Sequence, residues 1–412
     1  QIENVNSKTY NVSDFNLINV TLKDSLFIRT EFNGGKNLKD RYDLNLFYTI
    51  NEDNKSVLGF KKSNITFKNN AWFINEFQNS KNKVVFDREF NTFDFQDVSM
   101  THQDELIKLS GNIVEADTKN LNLSFQEVHL SKVTPDIENL TLQGSIDGFF
   151  KVQQQNGNYI PESELVINNF KVNDIGLGDF RASIVGNETL TNYDVNIGLK
   201  EDTNQLLSMV GNLDFGNANS TIDIEVNLDN FTLESLNPFG DDVINQMRGF
   251  VTGNARVYGN LSKPAINGAL ILDKGGLAIP YLNVNYGFRD NTLIQLAEQS
   301  FILNNALITE TKFLSEASLS GRINHKNFSN WSLNLDLDSD KLLVLNTEDS
   351  EEALYYGTAF VDGNISIQGP TNKLIIKAEV STEEGTVFKI PLNDTESLGD
   401  NSFMHFLTPK EK

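Results

Sequence analysis

The chain has no cysteine, only eight prolines and few positive charges. Without cysteine it cannot form disulfides, thiolate metal sites or a cysteine nucleophile. The 34 Lys and Arg residues stand against 56 Asp and Glu residues, which leaves a net charge of −22. Such a chain is repelled by the phosphates of nucleic acid and by an anionic bilayer surface. We therefore expect no nucleic-acid partner and no flat docking on an anionic membrane.

Long hydrophobic runs are also missing. No stretch approaches the roughly 18 consecutive apolar residues that a membrane-crossing helix needs. The start at Gln1 lacks the basic, apolar and small-residue regions of a signal peptide. We therefore expect a soluble piece of a longer protein, whose anchor or targeting signal lies outside this chain. With 39% hydrophobic residues in 412, it can bury a sizeable core, as several domains or one elongated repeat array.

What the sequence does contain is alternation of apolar and polar residues. Clear examples are Tyr42–Ile50, Tyr193–Leu199 and Trp331–Leu337. Side chains alternate across a β-strand, so each run predicts a strand with one apolar and one polar face. The pattern predicts an all-β chain of about 25–30 mostly antiparallel strands.

Helical signals are short and few. Three segments could each form one or two helical turns: Asp136–Leu140, Asp241–Met247 and Ser350–Tyr356. A parallel α/β architecture needs a helix at each crossover, so it is excluded.

Each of these three segments precedes a similar series of glycine-spaced strands, which indicates an internal repeat. Gly148 and Gly253 are 105 positions apart, and Gly253 and Gly363 are 110 apart. We predict a β segment at 1–135, repeat units at 136–240 and 241–349, and the start of a third unit at 350–412.

A repeated antiparallel sheet must hide its apolar face. It can pack on a second sheet as a filled core, or curl lengthwise so that this face lines a groove. The apolar positions of the alternating pattern in each predicted strand are the candidates for lining the groove: Leu44, Leu46, Leu123, Phe125, Leu165, Ile167, Val195, Ile197, Ile222, Ile224, Val226, Leu270, Leu272, Leu333, Leu335, Leu337, Ile376 and Val380. Bends are predicted at Gly144, Gly148, Gly249, Gly253, Gly259, Gly363 and Pro264, where the same glycines could also mark ordinary bulges.

No constellation predicts catalysis. The four histidines are isolated in sequence and lack metal-site spacing. The Asp336, Asp338 and Asp340 series lacks the Gly and Glu that a calcium loop requires, so it predicts the solvent face of a strand. We expect no enzyme activity, no metal and no cofactor.

One segment resembles a known family. Its signature residues are Gly253, Val257, Gly259, Leu261, Pro264, Ile266, Gly268, Leu270, Leu272, Gly275, Gly276, Leu277, Ile279 and Pro280. This pattern resembles the repeating signature of the TamB family, which belongs to the AsmA-like, bridge-type lipid-transfer proteins. The resemblance is clearest over 142–393, and the third copy departs from it at Leu374 and Ala378.

The resemblance implies a long, sharply bent sheet (a β-taco) with a hydrophobic lumen. It implies a place in the periplasm of a Gram-negative bacterium, with an inner-membrane anchor in a segment absent here. The implied partners are phospholipid or another acyl-chain lipid and an outer-membrane barrel of the insertase superfamily, TamA-like. The implied function is to conduct phospholipid acyl chains between the two membranes and so contribute to outer-membrane biogenesis.

Two other functions stay open. The same family could act as a scaffold for outer-membrane protein assembly, pairing an open sheet edge with a strand of its partner. A β-solenoid adhesin or carbohydrate-binding protein is the alternative of another class. It would need outward-facing acids, arginines or aromatic residues clustered on neighbouring strands.

Overall fold

The computed structural model describes residues 2–6, 11–35, 37–115, 118–135, 140–155, 158–187, 189, 191–216, 219–239, 244–327, 329–349 and 355–390. It confirms the predicted all-β fold. Twenty-eight strands form one large antiparallel sheet, and helices are short and few.

The strands follow one another along the chain. The first fourteen are β1 (Ile2–Asn6), β2 (Asn11–Leu22), β3 (Ser25–Gly35), β4 (Asp40–Ile50), β5 (Ser56–Phe60), β6 (Ser63–Phe67), β7 (Asn70–Ile74), β8 (Lys83–Phe86), β9 (Thr92–His102), β10 (Glu105–Val114), β11 (Thr118–His129), β12 (Leu142–Gln155), β13 (Asn158–Val172) and β14 (Ile175–Gly176). The remainder are β15 (Asp179–Gly186), β16 (Asn192–Glu201), β17 (Asn204–Asp214), β18 (Thr221–Thr232), β19 (Asn245–Asn260), β20 (Lys263–Ile279), β21 (Val284–Phe288), β22 (Thr292–Glu298), β23 (Ser300–Glu310), β24 (Glu316–Lys326), β25 (Ser329–Thr347), β26 (Tyr356–Pro370), β27 (Ile375–Thr382) and β28 (Val387–Lys389).

The sheet is a meander in which long strands pair with their neighbours in sequence. At five places two short strands lie end to end against one longer strand: β5 with β6, β7 with β8, β14 with β15, β21 with β22, and β27 with β28. The 28 strands therefore make 23 successive rungs, 28 minus five. With about 4.8 Å between neighbouring rungs, the sheet is about 105 Å long. It would be longer if each of the 28 strands formed a rung of its own.

Two successive blocks of seven strands share one layout. In block 1 (β12–β18) and block 2 (β19–β25), two long strands are followed by a split rung and three further strands. Each block therefore spans six rungs. The predicted unit boundaries at 135/136, 240/241 and 349/350 fall between strands that pair with each other, so the sheet continues across them.

A line of bulges runs along the sheet. Five strands each contain a residue with left-handed backbone, φ 50–53°: Glu127, Asn169, Asn230, Lys274 and Asn305. A side-chain oxygen on the next strand or turn accepts a hydrogen bond from each of these amides, at 2.7–3.0 Å: Asp147, Asp179, Thr252, Asp290 and Ser320. A bulge leaves its extra N–H outside the ladder and bends the strand. These side chains supply the missing partner, because an unpaired backbone group is costly when buried.

The turns divide into two edges. We call one edge the hairpin rim, where β8–β9, β15–β16, β17–β18 and β24–β25 are joined by turns. The opposite edge is the helix rim, which carries helix α1 (Leu130–Val133) and two 3-10 helices, Leu233–Phe239 and Pro280–Leu282.

The three predicted helical segments overlap only in part with the described residues. Residues 136–139, 241–243 and 350–354 of the three predicted segments lie outside the described residues. The helix predicted over Asp241–Met247 is wrong for its last three residues, which belong to β19. The Asn237 side chain holds them extended, because its Oδ1 accepts from the Met247 amide at 2.7 Å and its Nδ2 donates to the Met247 carbonyl at 3.1 Å.

Candidate functional site

One face of the sheet, which we call the inner face, carries continuous rows of apolar side chains. The row nearest the bulges crosses fifteen consecutive rungs from β11 to β27 without a charged residue: Val128, Ile146, Ile167, Phe180, Leu199, Leu207, Leu228, Gly253, Leu270, Ile294, Leu303, Gly321, Leu335, Ile367 and Ile376. We call it the bulge-side row. Each strand contributes one side chain to the row, because the apolar positions of its apolar–polar alternation are in register with those of the neighbouring strands.

A second row runs beside it, two residues closer to the hairpin rim. We call it the central row: Phe125, Gly148, Leu165, Ala182, Ile197, Met209, Val226, Ala255, Gly268, Leu296, Phe301, Ile323 and Leu333. Four of its members are glycine or alanine, which leave space above the sheet. The two rows together make an apolar strip that follows the long axis.

The register places the eighteen predicted lining residues on this inner face. Nine of them belong to the two rows: Phe125, Leu165, Ile167, Ile197, Val226, Leu270, Leu333, Leu335 and Ile376. Three more lie on the inner face two residues closer to the hairpin rim than the central row: Leu123, Val195 and Ile224. Ile222 is four residues closer to that rim than the central-row residue Val226. The others lie on the same face at Leu44, Leu46, Leu272, Leu337 and Val380.

Burial of the inner face changes along the sheet. In block 1 the central-row side chains Leu165, Ile197, Met209 and Val226 are only half-buried. On the last described rung Ile376 is 60% exposed, since no other described strand follows β27 and β28 in the sheet. The strip is therefore partly open to solvent in block 1, along its central row, and open at the carboxy-terminal end of the described sheet. In the same block, Leu199 of the bulge-side row is buried in a cluster with Val172, Leu177 and Leu206.

Between these two open parts the inner face is filled. Side chains from β21 to β26 form a buried cluster that includes Val284, Leu303, Leu342, Leu343 and Phe360. The Tyr286 hydroxyl donates to the Leu343 carbonyl at 2.8 Å, although β21 and β25 are not paired in the ladder. The sheet thus curls until these two strands meet. A filled core and an open apolar face, the two possibilities left by the sequence, occur in different parts of one sheet.

The predicted bend residues take three positions. Gly144 and Gly249 lie at register shifts. Gly259 and Pro264 pair with each other next to a hairpin turn. Gly148, Gly253 and Gly363 have φ of 125–154°. Each adjoins a register shift in the ladder with the preceding strand, while its ladder with the following strand is regular there. An added Cβ at these three glycines would meet a neighbouring backbone oxygen at 2.0–2.3 Å.

The structure also brings together a polar cluster that the sequence analysis did not predict, because its residues are far apart in the sequence. Glu105 is buried, and its Oε1 accepts from the His129 amide at 2.7 Å and lies 2.8 Å from the His129 Nδ1. Its Oε2 accepts from the Lys132 Nζ at 2.7 Å and lies 3.8 Å from the His102 Nε2. These contacts connect β9, β10, β11 and α1, so the carboxylate holds the helix rim to the sheet.

Electrostatics in this cluster favour the charged carboxylate. Burial raises the pKa of Glu105, but the hydrogen bonds from Lys132 and His129 outweigh it and hold that pKa below its usual range. Among the described residues, no group of His, Asp or Glu side chains is arranged to hold a metal ion.

Several smaller concave regions also occur, and one of them lies on the outer face. Strands β13, β15 and β16 form a cavity of about 250 Å³ whose lining includes Glu164, Arg181, Asn196 and Lys200. Its lining has acids and bases together but no aromatic ring on which a sugar could stack. Asp336 and Asp338 are likewise exposed along β25, in agreement with the predicted solvent face.

Within the described residues, no helix has the length and apolar character that crossing a membrane requires. No curated protein and no solved structure gives a significant match to the chain. Residues 311–412 match the family model described as the TamB C-terminal domain. This range contains the third predicted copy of the repeat and lies downstream of the Gly253–Pro280 signature. The match confirms the resemblance read from the sequence: residues 311–412 are similar to the TamB C-terminal domain.

Proposed function

We propose that the chain conducts phospholipid acyl chains along its inner face, as a periplasmic bridge between the inner and outer membranes. The match of residues 311–412 to the TamB C-terminal domain connects the chain with assembly of the bacterial envelope and its outer membrane. The observation that carries the finer proposal is the bulge-side row, which stays apolar across fifteen successive rungs.

The physical argument is a difference in solvation. An acyl chain of about 16 carbons gains about 0.8 kcal/mol for each CH2 that leaves water, more than about 10 kcal/mol in all. A charged headgroup loses several kcal/mol if it follows, so it stays at the open side. Neighbouring positions along the rows are chemically alike, and a lipid therefore meets only small free-energy differences as it moves. The chain supplies no energy source in this scheme, so direction comes from its surroundings.

The filled section sets a condition on this movement. In block 1 the half-buried side chains leave apolar surface on which an acyl chain can lie. From β21 to β26 the cluster around Leu342 and Leu343, each 1% exposed, occupies the same face. The central-row side chains Phe301, Ile323 and Leu333 in block 2 are half-buried, like those of block 1. We propose that lipid lies along the central row in both blocks, and that it enters the region of the buried cluster only when strands β21 and β25 separate.

Adjacent residues of β16 provide the test. A photo-crosslinking residue at Ile197 faces the inner side, whereas one at the exposed Asn196 faces outward. In cells, the Ile197 position should capture phospholipid and the Asn196 position should not. Equal capture at the two positions, or none at either, would contradict the proposal.

A specific observation also favours the assembly-scaffold alternative. All eight residues of β27 are exposed, and among the described residues no strand pairs with its second edge, which carries Ile375, Ile376 and Val380. An unpaired strand edge can template a strand of another chain. A TamA-like barrel that co-purifies with this chain and is lost with a β27 proline variant, while lipid capture at Ile197 is unchanged, would support the scaffold over the conduit.

A further inference from the structure

Three aromatic pairs occupy equivalent places on the hairpin rim. Phe93, Tyr193 and Phe301 are each the second residue of their strands, β9, β16 and β23. Each ring contacts a second ring: Phe93 with Phe86 at 5.9 Å between centroids, Tyr193 with Phe215 at 5.3 Å, and Phe301 with Trp331 at 6.1 Å. Strands β16 and β23 hold the same position in blocks 1 and 2, so the pair recurs with the layout of the sheet.

These pairs lie on the inner face where the apolar strip meets the polar turns. Phe301 belongs to the central row, and Tyr193 is two residues before the lining residue Val195. Two residues before each ring stands an uncharged polar residue: Asn91, Thr191 and Gln299. Each pair therefore lies between the apolar strip and polar residues on the side of solvent, where the Asp87 and Glu89 carboxylates accept hydrogen bonds from Asn91 at the first pair.

We propose that the three pairs are stations that hold the ester and glycerol region of a zwitterionic diacyl phospholipid, with its acyl chains on the apolar strip. The proposal rests on the proposed function and specifies where the lipid is held. Aromatic side chains favour the boundary between apolar and wet surroundings, as they do at membrane interfaces. The uncharged neighbours provide hydrogen-bonding groups for the esters without selecting a net headgroup charge.

The spacing of the stations suits one lipid at each. Strands β9, β16 and β23 are six rungs apart, which is about 29 Å at about 4.8 Å per rung. One leaflet of a bilayer has a hydrocarbon depth of about 15 Å, half of the total core. Lipids that lie along the strip from neighbouring stations therefore do not overlap.

Trp331 is a natural reporter of one station, because the chain has only two tryptophans and the other, Trp72, is 1% exposed. In a Trp72→Phe variant of the chain, phosphatidylcholine brominated near the ester carbonyls should quench Trp331 at least twofold more than phosphatidylcholine brominated near the methyl ends. Equal quenching, or stronger quenching from the methyl ends, would overturn the stations.

Native mass spectrometry of the same samples separates the two proposals. Lipid that binds but shows no position-dependent quenching contradicts the stations alone. No bound lipid in the wild-type chain contradicts the conduit as well.

A double variant, Tyr193→Leu with Phe215→Leu, tests a second station while keeping it apolar. Release of bound phosphatidylcholine should become about twofold to tenfold faster, the range expected for lost aromatic contacts. Tyr258→Leu, on the outer face beside Arg256, should leave the release rate unchanged. A folded double variant with an unchanged rate would overturn the proposal, and the Trp331 measurement decides if this variant does not fold.

Discussion

Gly148 shows what single residues contribute to this sheet. Its φ of 125° is one that other amino acids rarely adopt, and a Cβ there would lie 2.0 Å from the Glu164 carbonyl oxygen. The ladder between β12 and β13 is nevertheless regular at this position. The glycine therefore permits a close approach of two strands within an unbroken apolar strip.

We expect Gly148→Ala to destabilise the chain by about 1–3 kcal/mol, the usual cost of a strained backbone conformation. Chemical denaturation and amide hydrogen exchange of β12 and β13 measure this effect. Gly176→Ala is the matched control, because nothing lies within 4 Å of a Cβ added there. Equal stability of the two variants would show that the sheet relaxes around the new methyl group.

At the scale of elements, the helix rim depends on contacts between strands that are distant in sequence. Glu105 at the start of β10 binds Lys132 of α1 and the amide of His129 at the end of β11. The side-chain caps of the bulges work in the same way, since each joins a left-handed residue to the next strand or turn. Polar side chains thus fix where the strands bend, and apolar rows fix which face is inside.

We expect attachment of α1 to weaken in acid. The pKa of Glu105 is lower in the folded chain than in the unfolded chain, so its contribution is present above the unfolded pKa and is lost as pH falls through the folded pKa. Glu105→Gln should cost about 2 kcal/mol at neutral pH, the scale of hydrogen bonds to a charged group, and should remove this acid dependence.

Amide hydrogen exchange at His129 and Leu130, followed against pH, measures the attachment of α1. Asp336→Asn, at an exposed carboxylate on β25, should leave the exchange profile as it is in the wild-type chain. A Glu105→Gln variant with the wild-type acid profile would assign the dependence to another group.

The described residues form a single sheet of 23 rungs, whose inner face is filled from β21 to β26 and whose central row is half-buried in block 1. Its length therefore exceeds what a globular chain of this size would have. The structure does not resemble separate domains joined by linkers, because adjacent blocks share ladder hydrogen bonds.

Small-angle scattering tests this shape directly. A rod about 105 Å long has a radius of gyration of at least about 30 Å, whereas a compact globule of 412 residues has one of about 22 Å. We expect the larger value in dilute solution. A value near the smaller one would mean that the sheet folds back on itself.

The sequence predicted the strands because alternation is local, and Tyr193–Leu199 and Trp331–Leu337 became parts of β16 and β25. It predicted which face is apolar for the same reason. It did not predict the caps of the bulges, the Glu105 cluster or the aromatic pairs, since these join residues on different strands. The helix predicted over Asp241–Met247 was wrong for its last three residues, because Asn237, ten positions from Met247, binds the Met247 backbone in β19.

The meander has a consequence for how the chain can be shortened. Nearly every rung pairs with strands that adjoin it in the sequence. A strand can therefore pair without first closing a long loop to a distant part of the chain. Folding can therefore nucleate at many points and propagate to neighbouring strands, as in repeat proteins. Removal of whole hairpins from one end should leave a shorter sheet that still unfolds cooperatively. The length of the sheet can therefore change by deletion or duplication of hairpins, while the arrangement of side chains across each strand stays the same.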